Sequence, residues 1–483
     1  MGLSSPIPPA VSPHLGRRTG GRLVVGLLGA FLVGRLLILV AAGVPPGVDG
    51  GNWLAYGRDI WTGDLLAPGL VYPPMVPTLS LVVTELAGPV AGLALLAALA
   101  SVASGWVIFL TCRRAAPPAR VAAAVAVALL WPPSQEVVAW GGYPQLLGSA
   151  AAIGTLALVR GFLAQPSFAR GSSAVALFGA TAATSHLVFL ALVTALAVLM
   201  IRARRSILLI WPAFLALGAA STLAVLPLAP TYLALLGSAA RAEAFHPGIG
   251  TPAAWLLPAM GLVAAGVVSI AGRQAPDRVA AVQFSWLAGV TVAWLLTGSE
   301  RYAYELGPLM GLTVAVAPAL PLPVRVRRPG RFTLALAAAG VLLVLLSSLL
   351  TLRASASRYQ TADAGLVAAA RWIADETSPD AVLAVPGVRG IPVGWWVQGL
   401  SGRSTLTGSS LEWLLFEEER EHAITVSRYF HDPLFAANAV GELGADYLVI
   451  PTGWAPPAFL PDHAQVAFRS GGTIVIELGE PPT

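Results

Sequence analysis

Asp49, Arg58, Asp59 and Asp64 fall within one short stretch, GVDGGNWLAYGRDIWTGD (47–64), of a chain in which only 11% of residues are charged. A carboxylate beside a reacting hydroxyl can take its proton, and an arginine can stabilise negative charge gathering on a leaving group. Other groups with chemical potential are spread along the sequence: Tyr72, Glu136, Tyr143, His186, Arg241, Glu243, His246, Glu300 and Arg301. The single cysteine, Cys112, has no partner for an internal disulfide and supports neither redox chemistry nor a cysteine metal site.

What positions these residues follows from the solvent the sequence implies. Hydrophobic residues make up 56% of 483, and the mean hydropathy is +0.74. Apolar runs long enough to cross a bilayer recur from residue 23 to residue 352, so the chain reads as an α-helical polytopic membrane protein. Its net charge of +5 comes from arginines, with no lysine, in short clusters between the apolar runs. That placement is an orientation signal, and no nucleic-acid partner is read from it.

Arg17, Arg18 and Arg22 precede the first run, which puts residues 1–22 in the cytoplasm and sends 23–43 outward. Further spans are expected near 89–112, 119–133, 142–160, 172–185, 187–201, 206–228, 252–271, 279–298, 303–322 and 331–352. With about eleven spans, the clusters at Arg113/Arg114/Arg120, Arg160/Arg170, Arg202/Arg204/Arg205, Arg273/Arg278 and Arg325/Arg327/Arg328/Arg331 all fall on the cytoplasmic side. The first loop, 44–74, then faces out. Residues 75–86 are too short to cross and follow Pro73-Pro74, which suggests an interfacial or re-entrant helix. The apolar stretch 172–201 is broken at Ser185-His186, which predicts two short spans with a tight outer turn.

After Arg353 the pattern changes. Residues 361–377 read as an amphipathic helix and 381–385 as a strand; helices follow over 410–430 and 433–443, with strands at 446–451 and 473–478. Residues 354–483 are therefore expected to form a small extracytoplasmic α/β domain after the membrane region 23–353.

An Asp just after the first span, a loop ending in YPP and an outer C-terminal domain together resemble the GT-C superfamily of membrane glycosyltransferases. The residues that carry the resemblance are VDGGNWLAYGRDI (48–60), VYPPMVPTL (71–79), WGGYPQLLG (140–148), ATSHLVFLALV (183–193) and ERYAYELGPLMGL (300–312). The resemblance implies sugar transfer from a polyprenyl-phosphate-linked donor to an extracytoplasmic glycan, lipid or protein acceptor. By position, Asp49 would be the general base. Arg301, and less strongly Arg58, would bind the donor phosphate, with Tyr72, Glu136, Tyr143, His186 and Glu300 lining the chamber. The resemblance fixes no cofactor and leaves a divalent cation, Mg or Mn, open, with Asp49 and Glu136 as its ligands. No second acid stands two residues from Glu136, which weakens that site.

Plainer readings stand beside these. In PPGVDGG, Asp49 can close an Asx-turn; Asp59 and Asp64 can be solvated charges; His186 can cap or pack; Glu300 and Arg301 can pair with each other; and Trp395 and Trp396 can be interface anchors or core. The rival functions are a lipid or solute transporter or flippase, and a GT-C-like scaffold without catalysis. The acids gather at the outer ends of spans rather than mid-span, which speaks for the transferase over the transporter.

Overall fold

The computed structural model describes residues 13–62, 72–202, 277–297, 299–316, 331–387, 392–409, 417–432 and 439–479. The spans expected at 206–228 and 252–271 lie outside the described residues, as do Asp64, Arg241, Glu243 and His246. The membrane region begins with α1 (Pro13–Val40), α2 (Gly50–Thr62), α3 (Met75–Cys112), α4 (Pro118–Leu130) and α5 (Pro132–Trp140). It continues through α6 (Tyr143–Ala164), α7 (Phe168–Ala182), α8 (His186–Arg202), α9 (Asp277–Thr297), a 3-10 turn (Glu300–Glu305), α10 (Leu306–Val316) and α11 (Arg331–Arg358). Among the described residues, α3, α6 and most of α9 are long and apolar enough to cross a membrane, and α4 with α5 form one further span if their 52° bend is accepted.

Helix α3 is two helices. At Gly88 the backbone takes φ 77, ψ 163, a conformation that glycine tolerates and other residues rarely adopt. Pro89 then opens the second half. The halves fold against each other so closely that a Cβ on Gly92 would lie 2.4 Å from the carbonyl oxygen of Val83. The short helix expected before the second span is therefore present as a separate arm. The break expected near Ser185-His186 is also present, between the end of α7 at Ala182 and the start of α8 at His186.

The bend between α4 and α5 shows how a broken helix is tolerated inside apolar surroundings. Pro132 and Pro133 remove backbone donors, which leaves carbonyls at the end of α4 without helical partners. The carbonyl of Leu129 accepts from the Arg35 guanidinium at 2.9 Å and from Gln135 Nε2 at 2.8 Å. Arg35, 1% exposed, also donates to Gln135 Oε1 at 2.9 Å and to the carbonyl of Ser101 at 3.0 Å. One buried arginine thus ties α1, α3, α4 and α5 together through oxygen acceptors.

The C-terminal unit contains α12 (Ala364–Glu376), β1 (Val382–Ala384), α13 (Val393–Ser401), β2 (Ser404–Thr405), α14 (Glu417–His431), β3 (Tyr447–Ile450), β4 (Gln465–Ser470) and β5 (Thr473–Glu477). Its sheet has the order β2-β1-β3-β5-β4. Strand β1 runs parallel to β2 and β3, while β5 runs antiparallel to β3 and β4. Asp363 caps α12, accepting from the Leu366 amide at 2.7 Å. Leu366, Ala369 and Ile373 pack on Leu383, Val449 and Val475 of the sheet. Three elements were not expected from sequence: α13, β2 and β4. The helix expected over 433–443 is corrected in part, because residues 439–443 are turns. The Gly444 amide donates to the carbonyl of Gly441 at 2.8 Å and the Ala445 amide to that of Val440 at 3.1 Å, which closes a compact turn there instead.

Helix α13 seats the C-terminal unit on α2. The Trp396 indole is fully buried and donates to the carbonyl of Val48 at 2.9 Å. A Cβ on Gly51 would lie 2.6 Å from Trp396 Cα, so glycine is required for α2 to approach this closely. Trp395 and Trp396 are thus core between the two units rather than interface anchors.

Candidate functional site

Asp49 stands immediately before α2, at the turn that follows the Pro45-Pro46 stretch. Its position is set from two sides. The amides of Val48 and Asp49 both donate to the carbonyl of Trp140, at 3.0 and 2.9 Å, at the C-terminal end of α5. Next to it, Gly141 caps α5 with φ 103, and a Cβ there would lie 3.1 Å from the Asp49 Cβ. The left-handed cap therefore lets the α5 terminus close on the acidic loop. Trp53, one turn into α2, donates its indole N–H to the carbonyl of Gly141 at 2.8 Å and completes the lock.

The Asp49 carboxylate accepts a bond from Asn52 Nδ2 at 3.3 Å. Burial pushes its carboxyl up to about 6, and the charge of Arg301 acts in the opposite direction. The residue still keeps part of its surface accessible. A carboxylate held near 6 is suited to receive a proton at neutral pH.

Beside it lies a cavity of about 110 Å³ lined by Trp53, Tyr72, Trp140, Gln145, His186 and Arg301, among others. The guanidinium of Arg301 lies 5.5 Å from the centre of the Trp140 ring, a cation–π geometry. Tyr72 packs against Trp53 at 4.7 Å between centroids and approaches His186 at 6.3 Å. The cavity therefore brings together Arg301, Tyr72 and His186 from distant parts of the chain, and Asp49, outside its lining, feels the charge of Arg301. Tyr143 starts α6 at the same place, with its hydroxyl buried and without a hydrogen-bond partner.

Two candidates are turned elsewhere. Glu136 accepts a hydrogen bond from the Tyr359 hydroxyl and is not among the lining residues of the cavity. Arg58 donates to the carbonyl of Gly399 at 2.8 Å and lies 3.7 Å from Glu85, so it joins α2 to α13 and to the first arm of α3. Asp59 likewise accepts from Gln398 at 3.2 Å. Glu300 opens the 3-10 turn that carries Arg301. No group of three His, Cys, Asp or Glu side chains stands together among the described residues. Of the two carboxylates suggested for a divalent cation, Glu136 is engaged by Tyr359.

Sequence reasoning missed the polar support beneath Arg301. Glu305, 1% exposed, accepts from Ser149 Oγ at 2.5 Å and from Gln145 Nε2 at 3.2 Å, and its second oxygen has no partner. Gln145 also donates to the carbonyl of Arg301 at 2.6 Å. A carboxylate at the entrance to the apolar run LGPLMGLTVAV was the signal that could have exposed it.

No protein-family model matches the chain, and no curated protein matches it. Solved structures do match in fold. ArnT from Cupriavidus metallidurans bound to undecaprenyl phosphate aligns with a TM-score of 0.56 at 16% identity, covering 95% of this chain and 99% of that one. The same protein in the apo state aligns with a TM-score of 0.55 at 15% identity, covering 96% and 100%. The oligosaccharyltransferase of Archaeoglobus fulgidus in its apo form aligns with a TM-score of 0.50 at 13% identity, covering 88% of this chain and 69% of that one. The likeness to GT-C transferases read from the sequence is borne out at the level of the fold.

Proposed function

We propose that the chain is a membrane glycosyltransferase that moves a sugar from a polyprenyl-phosphate-linked donor to an acceptor on the outer side. The observation that carries the reading is an Asp49 carboxyl that feels the charge of Arg301, which lines an aromatic-walled cavity, in a fold shared with a structure whose ligand is undecaprenyl phosphate. In this reaction the acceptor hydroxyl attacks the anomeric carbon while its proton passes to the Asp49 carboxylate. The bond between that carbon and the phosphate oxygen breaks, and its electron pair leaves with the phosphate. Arg301 stabilises the departing charge, and the Trp140 ring fixes the direction of its guanidinium. Asp49 then returns its proton to solvent. No step is routed through a metal.

His186 and Tyr72 form the wall on which the sugar or the carrier phosphate rests. Glu305, Gln145 and Ser149 act from beneath, where Gln145 anchors the backbone of Arg301. Arg58 and Glu136 are assigned to the junction between the membrane and outer units, on the bonds that they make.

Native mass spectrometry of the purified protein tests the donor class. A polyprenyl-phosphate or polyprenyl-phosphate sugar is expected to accompany the wild type and to be lost from Arg301→Ala. Ordinary phospholipid alone in both proteins would count against the donor assignment and favour a transporter or an inactive scaffold.

A further inference from the structure

We infer that the end of the helix bundle opposite Asp49 binds the phosphate headgroup of an anionic phospholipid. A second and larger cavity, about 650 Å³, opens there between α1, α3 and the start of α4. Arg22, Arg113 and Arg114 line it together with Val25, Trp106 and Phe109, and no acidic residue lines it among the described residues. Arg22 precedes Val40 by 18 residues of α1, which places it about 27 Å along the helix axis from the outer end. The cavity thus lies at the depth of the other leaflet, separate from the proposed donor chamber, and does not depend on the transferase reading.

The argument rests on two features that coincide. Three arginines line one cavity with no carboxylate among its described lining residues, and phosphate oxygens match the guanidinium fork. Orientation of the chain needs basic residues at this end, but it does not need them around one cavity. The walls are apolar and aromatic: the Arg113 guanidinium lies 5.8 Å from the Phe109 ring centre, and Trp106 packs on Phe109 at 5.8 Å. Val24 and Val121 are buried at 1% and 2% exposure, whereas Val25 and Trp106 are 47% and 44% exposed along the flank. An inorganic anion would use only the arginines. A phospholipid uses both features, with its phosphate on the guanidinium groups and an acyl chain along Val25 and Trp106.

Trp106 serves as an internal reporter. The full-length protein is reconstituted in phosphatidylcholine vesicles with increasing fractions of either acyl-brominated phosphatidylglycerol or acyl-brominated phosphatidylcholine. The Trp106 emission is isolated as the difference between wild type and Trp106→Phe, because the chain holds 14 tryptophans. Quenching by the anionic lipid is expected at a mole fraction at least about fivefold lower than for the zwitterionic one, the preference that one basic residue near a membrane surface supplies. Arg22→Gln with Arg113→Gln and Arg114→Gln should abolish that preference, and the triple Lys variant, which keeps charge but loses the fork, should retain part of it. Equal quenching by both lipids in the wild type would overturn the proposal. Protection by added inorganic phosphate would assign the site to a soluble anion and overturn the lipid assignment.

Discussion

At the scale of single residues, Asp49 is a carboxylate placed where its charge is costly. Its carboxyl lies near 3.8 in an unfolded chain and is raised to about 6 in the fold. The protonated form is therefore favoured on folding, so its contribution to stability is fully present below about 3.8 and is lost as the pH rises through about 6. Asp49→Asn removes a burden on the order of 3 kcal/mol at neutral pH. The variant should melt higher than the wild type at pH 8, with a smaller advantage at pH 5, as read by thermal unfolding in detergent. Sugar transfer should be abolished in the same protein. The wild-type rate should fall about tenfold per pH unit below about 6, as a base with that pKa requires. Wild-type transfer by Asp49→Asn would end the assignment.

At the scale of elements, the site depends on contacts between helices that are far apart in sequence. Helix α13 of the outer unit lies on α2, and Trp396 reaches through to the carbonyl that precedes Asp49. Trp396→Phe removes that hydrogen bond while keeping most of the ring volume, and should cost about 1 kcal/mol. Gly51→Ala is expected to be worse although it adds a single methyl group, because the nearest atoms, at 2.6–2.7 Å, include the Trp396 backbone and cannot swing aside. Limited proteolysis between α11 and α12 should be faster in Gly51→Ala than in Trp396→Phe. The reverse order would mean that the outer unit is held by something other than this close approach. The Arg35 bonds act in the same way inside the membrane unit, because they hold the bend at Pro132-Pro133 that delivers the α5 terminus to Asp49.

At the scale of the whole molecule, the arginine clusters predict a topology that labelling can check. The lone cysteine is buried, so it can be replaced and new ones introduced one at a time. Ser378→Cys, on an exposed turn of the outer unit, should react with a membrane-impermeant maleimide on intact cells. Ala119→Cys, exposed at the start of α4, should react only after the membrane is opened. Labelling of both from outside would overturn the orientation. The class of protein and the breaks near residue 88 and residue 185 were legible in the sequence, because a bilayer demands long apolar runs and glycine, proline or polar residues interrupt them locally. Asp49 and Arg301 were also legible as candidates, since charge is rare enough here for each one to stand out. The sequence could not show that Glu136 is held by Tyr359, that Arg58 bonds to Gly399, or that Glu305 and Gln145 support Arg301. Those pairings join residues separated by up to 341 positions. Composition and periodicity describe a residue's own helix and its solvent, whereas partners across helices are decided when the helices pack, and only the tertiary structure records that choice.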